Sequence, residues 1–350
     1  MLTNRDIVTA VVAKGADPKG LLGIFHSGLG TVRDRKTRRT GRILSSMDEL
    51  NSILVVASRM PSDLPLLEKA VRFARSAGAR IQLFYCDVHS GRPLGLESET
   101  GKAEQAWCDR VGDHVRYLEA LTARVHARGV SVIPEADCDR SLSDAILRKV
   151  GQYHPDLVMK TPAGSHPLRL FTLDFNDWRL ARNCPVTLML VRGLMWAPAP
   201  RFGALVNVSE KAIRQLPGAI LHACEYLSLG CEGEVEVTYC EDSGDPESAA
   251  DRAAALERLT CEHHIPVARI HILHGDPDSL LPDFVAKQAY DVLVLGAPSH
   301  RRGLAAMAGG LNSKLVDAVD SDLLLVRQPV YESLAAGGLD QPAEQATCLS

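Results

Sequence analysis

Long apolar runs are missing from this 350-residue chain: stretches such as 186–191 and 323–326 are far too short to cross a bilayer, which excludes a helical membrane protein. An excess of charge of one sign is missing too. Lys and Arg number 39 against 43 Asp and Glu, a formal net charge of −4, so the chain has no field that would steer it toward nucleic acid or an anionic membrane. The nine cysteines form no C-x-x-C pair, are odd in number and are scattered, which reads as reduced thiols in a cytosol. Several close apolar runs, as Cys86 and Cys240 do, where a thiol serves as a small hydrophobe. No export signal is read at the N-terminus, because residues 8–13 are too briefly apolar. Catalytic signatures are also lacking: there is no G-x-S-x-G elbow, no H-E-x-x-H and no G-x-x-x-x-G-K-[ST], so hydrolase, zincin and P-loop readings have no anchor.

What is present is an ordinary soluble composition, 46% hydrophobic and 23% charged, on a chain long enough for two domains. Residues 1–46 stand apart as an extension expected to be poorly ordered. They are Gly-rich, lack a sustained period and carry the basic run Arg33, Arg35, Lys36, Arg38, Arg39 and Arg42. That run reads as a solvated arm, since no aromatics or basic helix accompany it, and nucleic acid is not an expected partner. Met47 offers an alternative start, because 47–50 leads straight into the first strand pattern.

From there apolar runs and helical periods alternate. Strands are expected at 53–57, 81–86, 130–136, 156–160 and 186–191, with helices at about 63–74, 102–127, 142–150 and 177–182. After a stiff linker at 195–200, with Pro198 and Pro200, the order restarts. Strands then fall at 204–208, 235–240, 269–273, 292–295 and 323–326, and helices at 212–227, 249–264, 278–287 and 312–319. The halves repeat one another: Asp156-Leu157-Val158 matches Asp291-Val292-Leu293, and Val191-Arg192 matches Val326-Arg327, both at a separation of 135 (291 − 156, 326 − 191). Tyr85-Cys86-Asp87 matches Tyr239-Cys240-Glu241 at 154. The fold class is therefore α/β, two tandem doubly wound five-stranded parallel sheets, with domains at 47–194 and 201–330 and a tail at 331–350.

In such sheets ligands sit beyond the carboxyl ends of the strands where strand order reverses. The loop after 292–295 draws attention there. Leu295-Gly296-Ala297-Pro298-Ser299 is followed by His300-Arg301-Arg302-Gly303, and after three residues by Met307-Ala308-Gly309-Gly310 and a helix. Small residues allow close backbone approach, the helix start presents unpaired N–H groups, and Arg301 adds charge, a pattern suited to a phosphate-bearing ligand. It is equally the composition of a tight turn. His263, His264, His271 and His274 are read as surface histidines, and no metal is expected. Asp177-Trp178 is read as structural, Trp178 filling a gap between helix and sheet.

These residues resemble the universal stress protein family, and specifically its tandem E-type members. ATP-binding members carry Gly, two residues, Gly, nine residues, Gly and Ser or Thr. Here Gly296 and Gly309 match, while Ser299 and Gly310 depart from the pattern. The adenine-contacting Asp of those members corresponds to Asn207, and the loop after Lys160, with Ser58 at the first strand's end, lacks the spacing. The resemblance covers about residues 48–330. It implies Rossmann-like halves of strand order 3-2-1-4-5, like adenine nucleotide alpha hydrolases, and a cytoplasmic stress-response binding module. ATP is the implied cofactor, weakly held and in the second domain only, through Asn207, Leu295, Gly296, Ser299, Arg301, Gly309 and Gly310. A weak ATPase is the alternative. Domain pairing through the last strands, as a pseudo-dimer, is implied as well, and a homodimer stays open.

Overall fold

The chain divides into two compact units, Met1–Ile43 and Leu44–Ser350. The computed structural model describes residues 50–88, 102–125, 128–162, 173–208, 215–241, 249–298, 315–316 and 319–327, all within the second unit; the expected extension at 1–46 and tail at 331–350 lie outside these.

The first half runs β1 (Ser52–Ala57), α1 (Asp63–Ala77), β2 (Arg80–Asp87), α2 (Lys102–Val125), β3 (Val132–Cys138), α3 (Leu142–Tyr153), β4 (Leu157–Lys160), α4 (Phe175–Asn183) and β5 (Thr187–Leu190). The second runs β6 (Arg201–Val206), α5 (Gln215–Gly230), β7 (Glu234–Glu241), α6 (Ala249–Glu262), β8 (Ile270–His274), α7 (Pro277–Gln288), β9 (Val292–Gly296) and β10 (Asp322–Val326). All six residues of β1 are buried, as a parallel strand with helices on both faces requires. The short α4 is started by a reciprocal cap: Asp174 accepts from the Asp177 N–H while the Asp177 side chain accepts from the Asp174 N–H.

Each half has the expected order 3-2-1-4-5, but the two sheets are one. The strand order β3-β2-β1-β4-β5-β10-β9-β6-β7-β8 is continuous because β5 pairs antiparallel with β10. Every other pairing is parallel. Edge strands rich in leucine need covering, and each supplies the other's cover. One apolar core lies between the sheet and α1, α2, α5 and α6; the other lies between the opposite face and α3, α4, α7 and Leu315-Val316.

Strand registers carry the internal repeat. Ile53 pairs with Leu157 and Phe202 with Val292, at separations of 149 (202 − 53) and 135 (292 − 157). Across the β5–β10 seam Met189 faces Leu324, and 324 − 189 is again 135. Equivalent residues therefore meet at the seam's centre, and a pseudo-twofold axis passes through it.

One buried polar cluster ties the halves together. Lys69 on α1 and Asp322 at the start of β10 are each 2% exposed, with Nζ 2.6 Å from Oδ2. Trp196 donates Nε1–H to the same oxygen at 2.8 Å, and the Arg192 N–H reaches Oδ1 at 2.7 Å. Burial holds the Lys69 ammonium below its usual pKa and Asp322 above its own, and their mutual attraction offsets only part of that. Trp196 also packs between Phe73 and Phe202, ring centroids 5.3 and 6.2 Å away. The stretch expected to be only a stiff linker thus contributes a core residue.

Replacing Asp322 by Ala leaves an ammonium, an indole N–H and a backbone N–H without their acceptor inside the seam. The expected loss is about 3–5 kcal/mol in urea unfolding. A loss below about 1 kcal/mol would contradict this role for the cluster.

Candidate functional site

Two places in this sheet satisfy the geometric condition for a ligand crevice, because chain direction reverses beside β1, between β2 and β4, and again beside β6, between β7 and β9. They differ in how far the central strands stay together. β1 and β4 pair through Val56 and Lys160. β6 and β9 part after Ala204 and Val294, which correspond to Val55 and Met159. The second crevice therefore splits one residue pair earlier.

Asn207 follows directly on β6 and is half-buried; Leu295 and Gly296 end β9 and are buried. The structure brings these three to the same end of neighbouring strands. Ser299, Arg301, Gly309 and Gly310 lie outside the described residues. Gly296 turns its bare Cα toward α5: a Cβ there would come within 2.7 Å of Leu216 Cδ2. The loop leaving β9 is anchored from β10, since the Ala297 N–H donates to the Val326 carbonyl at 2.8 Å and Arg327 donates to the Pro298 carbonyl at 3.2 Å. The other arm of that guanidinium donates to the Ala181 carbonyl of α4 at 2.8 Å, so the second half's crevice is braced against the first half.

The first crevice is closed by its own side chains. The turn after β1 is held by Asp63, which is 1% exposed. Its carboxylate accepts from the Ser58 N–H and hydroxyl at 2.9 Å each, from the Arg59 N–H at 2.8 Å and from the Tyr117 hydroxyl at 2.9 Å. Burial, reinforced by that carboxylate, pushes the Tyr117 phenol well above its usual pKa. Arg59, in the left-handed region at φ 59°, lies over the Tyr117 ring and donates to His114 Nδ1 at 2.8 Å. The opposite ring nitrogen, Nε2, lies 3.4 Å from Asp87 Oδ2 at the end of β2. At the end of β4, Lys160 and Asp177 form a buried ion pair where the second half has Leu295 (160 + 135). Burial raises the Asp177 pKa despite the adjacent ammonium. Thr161, at the position of Gly296 (161 + 135), is 7% exposed and its hydroxyl has no partner.

The histidines are individually engaged. His263 lies 3.2 Å from Glu225, His271 lies 3.0 Å from Glu236, and His274 lies 2.7 Å from Glu241. Among the described residues no group of three or more His, Cys, Asp or Glu is arranged to hold a metal ion. Trp178 is partly buried against the α3–α4 core, and Asp177 is fully buried. Sequence reasoning missed Asp63 and His114. The matched Tyr-Cys-Asp and Tyr-Cys-Glu triplets were a usable signal, because in both halves the acidic residue is met by a base from the following helix, His114 for Asp87 and Arg252 for Glu241.

The architecture is that of a tandem α/β protein with one switch-point crevice sealed and one parting early. Residues 214–327 match the family model described as the Universal stress protein family, and the chain belongs to that family. It is 21% identical over 316 residues to Universal stress protein E of Photorhabdus laumondii subsp. laumondii, covering 82% of this chain and 98% of that protein. Universal stress protein E of Escherichia coli K12 is 21% identical over 309 residues, covering 81% and 95% respectively. A universal stress protein from Archaeoglobus fulgidus has the same fold, with a TM-score of 0.60 at 12% identity over 80% of this chain and 99% of that one.

The two crevices make opposite demands on substitution. Asp63→Ala should cost about 1–3 kcal/mol, because buried donors lose their acceptor, while Thr161→Val should be neutral or stabilising by about 1 kcal/mol. Urea unfolding of both variants tests the pair of signs. A destabilised Thr161→Val would show that its hydroxyl has a partner in solution.

Proposed function

We propose that this universal stress protein acts as a stress-response binding module, and that its second half holds ATP or another phosphate-bearing small ligand in the β6–β9 crevice while the first half holds no nucleotide. The observation that carries the reading is the early parting of β6 and β9, which opens the strand ends beside Asn207 and Gly296 by one pair more than in the first half. Sequence spacing supports it. Gly296, Ser299, Gly309 and Gly310 keep the family's intervals, so the backbone between them is long enough to wrap phosphates, with Arg301 supplying charge. Counting five residues on from Asn207, as from Ser58 to Asp63, reaches Ala212, which offers no carboxylate to close the turn.

Binding is expected to be weak. Ser299 adds a side chain where ATP-binding members have none, and Gly310 removes a hydroxyl that would meet the phosphates. One lost neutral hydrogen bond is worth about 0.5–1.5 kcal/mol, a factor of roughly 2–10 in affinity. Asn207 in place of Asp keeps an acceptor for a base edge and loses its charge, which relaxes base selectivity. The membrane is not a partner in this reading: among the described residues no helix is long and apolar enough to cross one. A cytoplasmic setting is inferred from the free cysteines, of which Cys86, Cys138, Cys184, Cys224 and Cys231 are buried.

Calorimetric titration of ATP into the wild type, Gly309→Asp and Gly310→Ser tests the proposal. The expected series is weak binding to the wild type, none to Gly309→Asp, and several-fold tighter binding to Gly310→Ser. Binding that survives Gly309→Asp would refute the site.

A further inference from the structure

The seam between the halves contains an asymmetry that a purely stabilising contact does not need. Burial along the two seam helices aligns α1 with α5 at a separation of 150: Leu67, Lys69, Ala70, Val71, Phe73 and Ala74 are buried on α1, and Pro217, Ala219, Ile220, Leu221, Ala223 and Cys224 on α5. The pseudo-twofold axis through Met189 and Leu324 therefore carries Lys69 to Ala219 and Asp322 to Thr187 (322 − 135). On one side of the axis sits a buried ion pair; on the other sits an alanine methyl group, with Thr187 fully buried and its hydroxyl without a partner.

We infer that the Lys69–Asp322 pair is a pairing code: it makes each half's β5-type edge accept only the opposite half, and excludes docking of like halves from two chains. If two first halves met through β5, Lys69 of each would face Thr187 of the other, burying two ammonium groups with no counter-ion. If two second halves met through β10, Asp322 of each would face Ala219, burying two lone carboxylates. Removing one member of a buried pair is far more costly than never having had it, so both like-with-like seams are strongly disfavoured while the apolar contacts, which are leucine-rich on both strands, would permit them. The unlike seam alone satisfies every charge. The same rule extends to other proteins: a partner strand that docks beside β10 must bring a buried cation at the Lys69 position. Fixing which surfaces pair is the best-supported role of such buried polar contacts.

The full chain provides the test. Thr187→Asp/Ala219→Lys places a second pair across the axis, so that like seams become as well matched as unlike ones and no ion pair is removed. Lys69→Met/Asp322→Asn removes the charges instead. Each protein is refolded from urea at increasing concentration, and mass distribution is read by size exclusion with light scattering. The short connector gives the halves an effective concentration of about 1 mM for each other, so intermolecular pairing becomes visible when the chain is refolded at about 0.1–0.5 mM. Circular dichroism confirms folding, and the second variant keeps the test open if the first fails to fold. The expected result is at least about fivefold more concentration-dependent oligomer in a folded variant than in the wild type under the same conditions. A wild-type distribution in every variant that folds, at all concentrations, overturns the inference.

Discussion

Ten strands form a single sheet because Leu188, Met189 and Leu190 lie antiparallel against Leu325, Leu324 and Leu323. Every other strand contact in the sheet stays within one half. Uncovered, each of these strands would be a leucine-rich edge with unpaired backbone groups, and mutual covering removes both hazards at once. The seam also brings charged groups into the interior. Lys69, Asp322, Trp196 and the Arg192 backbone satisfy one another there, so the connector between the halves becomes part of the core instead of a tether running over the surface. Arg72 extends the arrangement by donating to the Pro198 and Cys231 carbonyls at 2.8 and 3.0 Å.

Much of this fold was legible in the sequence because parallel strands buried on both faces leave unbroken apolar runs, and 53–57, 81–86 and 292–295 all fall inside observed strands. Legibility failed where polar residues occupy strand positions. β6 begins at Arg201, three residues before its apolar run, because that guanidinium is held by Glu236 at 2.7 Å and by the Gln288 carbonyl at 2.6 Å. β3 extends to Cys138 and tolerates Pro134, since an edge strand need not donate every N–H. The connector misled for a different reason: its prolines advertise a linker, and nothing local in the sequence shows that Trp196 turns inward to Asp322. Closure of the first crevice was hidden as well, because it depends on Asp63 meeting Tyr117 across 54 positions, a contact no local pattern encodes.

The two halves thus share strand order, registers and cores, and differ at the carboxyl ends of their central strands. In the first half those ends carry Asp63 with its ring of donors, the Lys160–Asp177 pair and a threonine in place of a glycine. The second half has Asn207, Leu295 and Gly296, with strands that part early. Duplicated scaffolds free one copy to become structural, and here the sealed half braces the open one through Arg327 and the Ala181 carbonyl. The account's central claim is that ligand binding belongs to the open half alone. Backbone amide spectra of the full chain, recorded with and without excess ATP, test it most directly. Perturbations at Asn207, Val208, Gly296 and Ala297, with Ser58, Arg59 and Thr161 unchanged, are the expected result; perturbations centred on Ser58, Arg59 and Thr161 would contradict it.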